Sequence, residues 1–356
     1  MKVSYLIPPP AKRVGGIDRA IEQLKDNLDR VPGVTIDVTD FPDSDSDLVH
    51  CHGLWQSAYI QAAVFCRKRH IPYIVSPHGM MEPWAIRNKR WKKLPYYHLV
   101  EKNLLNEADA IFTTSPMEAS NVRNQLPNSN ICVIPFGIDD HVESDGEKVR
   151  KRLGLSGGEK LMLYLSRVDR KKGLDLMLRA LREMPSHQGW TLAIVGDGDP
   201  IYRRELQSFI KQHRKKLPAI HWIGPVWGAE RWDYFHAADL FCLPTHSESF
   251  GYAVLEALWA GTPTITTSET PWVDLSNSTG LFIAEDSVDS LKRRLSFACN
   301  QFGWTTLDRR TLQKWIRHHF NWDQLTDHYL SAYHAVLAGQ RAHLPHESKS
   351  LQESRI

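Results

Sequence analysis

The chain has 356 residues, of which 42% are apolar, enough for about two packed domains at the usual domain size. Its formal net charge of +3 is mild and singles out no highly charged partner, and no apolar stretch approaches the length of a membrane-spanning helix. Five cysteines (Cys51, Cys66, Cys132, Cys242 and Cys299) are scattered and mostly set in apolar runs; they read as reduced thiols of a cytosolic protein, not as a disulfide or metal framework.

In chain order, the first candidate strand is VSYLI (3–7). KVSYLI is too short for the apolar region of a secretory leader and runs into Pro8, Pro9 and Pro10, so no signal peptide is expected. Strands follow at VTIDV (34–38), DLVHC (47–51), YIVS (73–76), AIFTT (110–114) and ICVIP (131–135), with helix-periodic stretches between them such as Asp18 to Leu28 and Tyr59 to Lys68. A polar, turn-rich segment between Pro135 and Gly158 marks a domain boundary. The alternation then restarts with LMLYLS (161–166), TLAIVG (191–196), IHWIG (220–224), DLFCLP (239–244), TITT (264–267) and GLFIA (280–284). Strand and helix alternating twice over predict an α/β protein of two doubly wound domains. Residues 340–356 are polar and aperiodic and are expected to be disordered.

Several segments of the first half could carry chemistry. Gly15 and Gly16 fall in the expected loop after the first strand, where a backbone without side chains can approach a phosphate; a tight turn explains them equally well, and no G-x-G-x-x-G is present. DSDSD (43–47) looks like a D-x-D metal motif, but it lies in a polar loop before a strand. His78, in SPHGMMEPW, follows the strand YIVS directly, and His52, in VHCHG, ends the strand before it. RNKRWKK (87–93) puts five cations in seven residues beside Trp84 and Trp91, a composition suited to an anionic membrane surface or a phosphate-bearing acceptor. A solvated charged face is the plain alternative, and no nucleic-acid motif accompanies the cluster.

In the second half, SRVDRKKGLDLML leaves the strand LMLYL with Arg167 and enters a helix just after Lys172. Two cations beside a helix N-terminus at a strand's carboxyl end make an anion site suited to a diphosphate; a solvated loop is the plain alternative, since Arg170 and Lys171 are just as charged. GDGD (196–199) reads as turn chemistry, with its aspartates capping the next helix. In THSESFGYAVLEALWAGTP, Glu248 sits in a loop and Glu256 eight residues on, inside an apolar helix that Gly261 and Pro263 stop. A carboxylate there needs hydroxyl or amide partners to offset its desolvation, and sugar hydroxyls are expected to supply them. TSETPWVDL (267–275) is either a ligand-side loop or a turn set by Pro271.

ESFGYAVLEALWAGTP resembles the E-x7-E segment of the retaining glycosyltransferases of family 4 (glycosyl transferases group 1), and other segments fit that family in order along nearly the whole chain. The resemblance implies the GT-B fold: an acceptor-side Rossmann-like domain over 1–138, completed by the helix 322–338, and a nucleotide-sugar-binding domain over 139–321, facing each other across a cleft. It further implies that Arg167 and Lys172 grip the donor diphosphate, and that Glu256 bonds the nucleotide ribose while Glu248 faces the donor sugar. Ser249, Phe250 and Gly251 are expected to offer backbone N–H groups to the donor. His78 is preferred over His52 at the reacting centre, and Gly15 and Gly16 lie beside the phosphates.

The expected reaction is transfer of a sugar from a nucleotide-diphosphate sugar to a glycan or lipid-linked glycan, with retention and no metal or other cofactor. PHGMMEPW and TPW resemble a subgroup linked to polysaccharide assembly. A cytoplasmic protein, peripheral at the membrane through 84–93 and without a nucleic-acid partner, is expected. One departure is Phe136 in Pro135-Phe136-Gly137-Ile138-Asp139, where the family often has Asn. A silent sugar-nucleotide-binding subunit and a sugar-nucleotide epimerase are the alternative readings.

Overall fold

The computed structural model describes residues 1–9, 15–87, 90–138, 144–275, 280–300 and 306–342. The described residues divide into two compact units, 1–138 with 320–342, and 144–319.

In the first unit, strands β1 (Lys2–Leu6), β2 (Thr35–Thr39), β3 (Leu48–His52), β4 (Tyr73–Ser76), β5 (Ala110–Thr113) and β6 (Ile131–Val133) form one parallel sheet of order β2-β1-β3-β4-β5-β6. The second unit repeats the design with β7 (Lys160–Leu165), β8 (Trp190–Val195), β9 (Ala219–Gly224), β10 (Leu240–Leu243), β11 (Thr264–Thr267) and β12 (Leu281–Ala284), in order β12-β11-β10-β7-β8-β9. Each of the twelve expected strands is present, shifted by at most two residues at an end. Central strands β3, β4, β5, β10 and β11 are buried along their whole length, while β2 and β9, at sheet edges, alternate or stay half exposed. Helices on both faces of a parallel sheet impose this pattern. In β11 the buried hydroxyls of Thr264 and Thr266 donate to the carbonyls of Thr262 and Leu243, so a threonine-rich strand carries no unmet polar group at these positions.

The helix Trp322–Leu337 packs in the first unit. The Tyr333 hydroxyl meets the Tyr5 hydroxyl at 2.7 Å, and the Tyr333 ring stacks on Phe112. Of the tail expected to be disordered from 340, Gln340 and Arg341 are exposed, the Gln340 N–H donates to the Ala335 carbonyl, and Ala342 is fully buried. Residues 343–356 lie outside the described residues.

Candidate active site

In each sheet the chain reverses its direction of growth once. In the second unit it runs from β7 outward through β8 to β9, then returns to lay β10 on the other side of β7. β7 and β10 are therefore the neighbouring strands at which the order reverses, and the carboxyl ends of such a pair are the position where open α/β sheets bind ligands. Lys172 lies on the loop after β7 and Glu248 on the loop after β10.

Backbone contacts zip these loops together. The Lys171 carbonyl accepts from the His246 N–H at 2.8 Å and from the Thr245 hydroxyl at 3.0 Å. Gly173, which caps the Leu174–Glu183 helix at φ +68, comes so close to Pro244 that a Cβ would stand 1.9 Å from the Pro244 carbonyl oxygen. Only glycine combines that backbone angle with that approach. The result is a direct ion pair between the Lys172 ammonium and the Glu248 carboxylate, both largely buried. Burial pushes the Glu248 carboxyl up, but Lys172, Lys171 and Arg167 together outweigh it and hold the group below the ordinary carboxylate range. Arg167 is exposed just past β7.

Glu256 is enclosed in the Tyr252–Trp259 helix, and its main partner comes from the chain itself: Arg231 Nε donates to Glu256 Oε1 at 2.6 Å. This corrects the expectation that sugar hydroxyls are needed to offset its desolvation. Arg231 went unnoticed in the sequence because ERWDYFHA carries it among charges that look solvent-facing; its signal was the need of Glu256 for a countercharge. Gly251 caps the helix at φ +79. Phe250 is a core side chain whose carbonyl accepts from Trp272 Nε1 at 2.6 Å, and Ser249 is half-buried between Glu248 and Phe250. The segment 267–275 backs this loop, since the Glu248 N–H donates to the Glu269 carbonyl at 3.0 Å. In GDGD, Asp199 caps the Pro200–Gln212 helix as expected, whereas Asp197 pairs with Arg203.

In the first unit, His78 follows β4 at φ 50 and is buried against His52 and Phe136. The Phe136 ring that replaces the family's Asn stacks on His78 with centroids 5.6 Å apart. Gly15 opens the Gly15–Asp29 helix, so the glycine pair occupies its first turn instead of the expected loop; residues 10–14 lie outside the described residues. A helix start tolerates glycine because its first N–H groups have no intrahelical partner to lose. In DSDSD, Asp43 and Asp45 bind the Lys2 ammonium at 3.1 and 2.8 Å.

Within 84–93, Trp91 is 75% exposed, while Lys93 turns inward and donates to the Ala85 carbonyl. Residues 88 and 89, and the side chains of Arg90 and Lys92, lie outside the described residues. No helix among the described residues is long and apolar enough to cross a membrane.

Two all-parallel doubly wound units in series are the architecture of the GT-B glycosyltransferases. Anabaena HepE, solved with UDP-glucose, superposes with a TM-score of 0.76 at 17% identity, covering 94% of this chain and all of HepE. The family model described as glycosyltransferase family 4 matches residues 13–142, and that described as glycosyl transferases group 1 matches 145–301. The chain belongs to the group 1 glycosyltransferases. Among curated proteins it is 22% identical over 309 residues to an uncharacterized glycosyltransferase of Methanocaldococcus jannaschii, covering 81% of this chain and 75% of that one. It is 26% identical over 228 residues to the D-inositol 3-phosphate glycosyltransferase of Mycobacterium marinum, covering 62% of this chain and about half (48%) of the relative.

Proposed function

We propose that this glycosyltransferase moves a hexosyl group from a nucleotide-diphosphate sugar to a glycan or lipid-linked glycan, with retention at the anomeric carbon, in cell-surface glycan assembly. The observation that carries the reading is the Lys172–Glu248 pair, with Arg167 beside it, at the switch point of the second unit. That unit takes the donor nucleotide and the first unit the acceptor.

Arg167 and Lys172 meet the diphosphate, whose charge grows as the bond from the anomeric carbon to its oxygen breaks. The acceptor hydroxyl attacks from the same face, and its proton passes to the departing diphosphate oxygen. Glu248, already neutralised by Lys172, suits the holding of sugar hydroxyls better than nucleophilic attack. Glu256 with Arg231 receives the ribose. Ser249, Phe250 and Gly251 line the donor through their backbone; among residues of the first unit, Gly15 and Gly16 suit a phosphate and His78 suits a sugar hydroxyl. The two cations supply the positive charge that a metal supplies elsewhere, so the reaction needs none. The enzyme works on the cytoplasmic side, resting on the membrane through 84–93.

The test is nucleotide diphosphate release from a panel of UDP-, GDP- and ADP-sugars, with and without EDTA, beside Glu256→Ala. Release from one donor, unaffected by EDTA and lost in the variant, supports the reading. Absence of both release and any thermal shift by every nucleotide refutes it.

A further inference from the structure

The carboxyl end of β3 holds a chain of buried imidazoles. His50 is bonded on both sides, with Nδ1 2.9 Å from the Tyr333 hydroxyl and Nε2 2.8 Å from the Ser76 hydroxyl. His52, two residues on, lies against His50 with ring centroids 4.0 Å apart. Its Nδ1 stands 3.0 Å from Nε2 of His78, on the loop after β4. The His52 and His78 rings are parallel within 4° with centroids 5.3 Å apart, which exceeds the N···N distance by two ring radii. The rings therefore lie end to end in nearly one plane. That is the alignment of an N–H···N hydrogen bond, and stacking would give a shorter centroid separation.

One proton lies in this bond, and either nitrogen could carry it. The other nitrogens decide. His52 Nε2 is enclosed and has no hydrogen-bond partner among the described residues, whereas neither nitrogen of His78 is in that position. If His78 donated, the proton of His52 would sit on Nε2 as a buried N–H with nothing to bind. If His52 donates, its Nε2 is a bare lone pair among ring edges such as that of Tyr5, 4.6 Å away between centroids. Orphaned buried N–H groups are the rarer case, and weak C–H contacts can meet a lone pair.

We propose that His52 is a positioning residue that donates from Nδ1 to His78 Nε2 and so fixes His78 as the Nδ1–H tautomer, which faces its ligand as a hydrogen-bond donor and not as a base. The ligand-facing part rests on the role given to His78 above. The chemistry recognised is a sugar hydroxyl or phosphate oxygen acting as acceptor. A ring nitrogen that already carries a proton cannot take one from the acceptor hydroxyl, which leaves that task to the departing diphosphate.

The loop that carries His78 is anchored independently of the two imidazoles. Glu118, three residues after the Ser115 cap of the Pro116–Arg123 helix, accepts from the N–H groups of Gly79 and Thr114. The rings packed on His78 are His52 and Phe136, with His50 and Tyr5 behind His52. Burial depresses all three imidazoles, His78 to about 3, so a neutral ring is the form present at neutral pH.

Long-range proton–nitrogen correlation on the full chain, labelled with 15N-histidine and assigned through His78→Gln, reads the tautomer directly. The expected pattern at pH 7 is a protonated Nδ1 and an imine-type Nε2 at His78. An Nε2–H or doubly protonated His78 overturns the proposal. His52→Leu should release His78 to the Nε2–H form. It should also lower kcat on the UDP-, GDP- and ADP-sugar panel by about tenfold, the worth of one hydrogen bond. His52→Asn, whose amide N–H falls where Nδ1–H was, should restore both; failure to restore the tautomer in a folded His52→Asn protein also overturns it. If the Nδ1–H tautomer is found but His78→Ala turns over at the wild-type rate, the role of His78 toward the ligand fails and the histidine pairing stands.

Discussion

Arg231 Nε donates to Glu256 Oε1 at 2.6 Å, joining the helix Glu230–Ala237 to the helix Tyr252–Trp259 through an enclosed ion pair. Arg231 also donates from Nη1 to the Gly228 carbonyl. Removing one partner strands the other charge in a site shielded from water. Arg231→Met should therefore cost about 3–5 kcal/mol of stability, and Arg231→Met with Glu256→Leu should regain most of it. Urea unfolding of the two variants checks this; a double variant no more stable than the single one contradicts it.

Gly173 and Gly154 share a φ of +68, but only Gly173 faces a carbonyl oxygen where its Cβ would be. Gly154→Ala should cost about 1–2 kcal/mol for the backbone alone. Gly173→Ala should exceed about 3 kcal/mol, because the loops that bring Lys172 to Glu248 must separate. Equal melting temperatures for the two variants would refute the close approach.

Arg167 is exposed, so Arg167→Ala should leave the melting temperature unchanged. Turnover should fall by about a hundredfold, since the lost interaction strengthens as the leaving group gains charge. Nucleotide affinity, measured by titration calorimetry, should change little. Comparable losses in turnover and affinity would remove the transition-state role.

His50, His52 and His78 are each held below the ordinary imidazole value near 6.5, first by burial and, for His50 and His52, also by neighbouring imidazoles. Because the folded values are lowered, the unfolded chain binds more protons as the pH falls below 6.5. Stability contributed by these groups is complete above that value and is lost on acidification toward the folded value, about 3 for His78. Each contributes a slope of up to about 1.4 kcal/mol per pH unit. The depressed Glu248 adds loss of the same sign only at more acid pH. A melting temperature flat above pH 7 and falling steeply below 6.5 is expected, with a shallower fall in His78→Gln. A flat profile from pH 8 to 4 would contradict the buried neutral cluster.

Trp91 and Leu99 are 75% and 76% exposed near the basic stretch. Their replacement by alanine should weaken sedimentation with phosphatidylglycerol vesicles and leave that with phosphatidylcholine unchanged. Equal sedimentation of wild type and variant with anionic vesicles would end the membrane reading.

Much of this was legible in the chain itself. Alternating apolar runs located the strands, because strands buried on both faces of a parallel sheet are written as continuous apolar segments. Short-range signals also held where the physics is local, as with Asp199 capping its helix. Glu248 and Lys172 each stood out by position at a strand end. Their pairing across 76 residues did not, since it depends on β10 returning beside β7 and on Gly173 touching Pro244. The same holds for Arg231, whose place beside Glu256 depends on how the helices Glu230–Ala237 and Tyr252–Trp259 pack. His52 looked like a weaker rival of His78 and proves to be its hydrogen-bond partner. Sequence determined which residues lie at the ends of strands, because burial and periodicity act along the chain. Tertiary structure alone decided which of those residues touch, because ion pairs and hydrogen bonds act over a few ångströms and only strand order sets those distances.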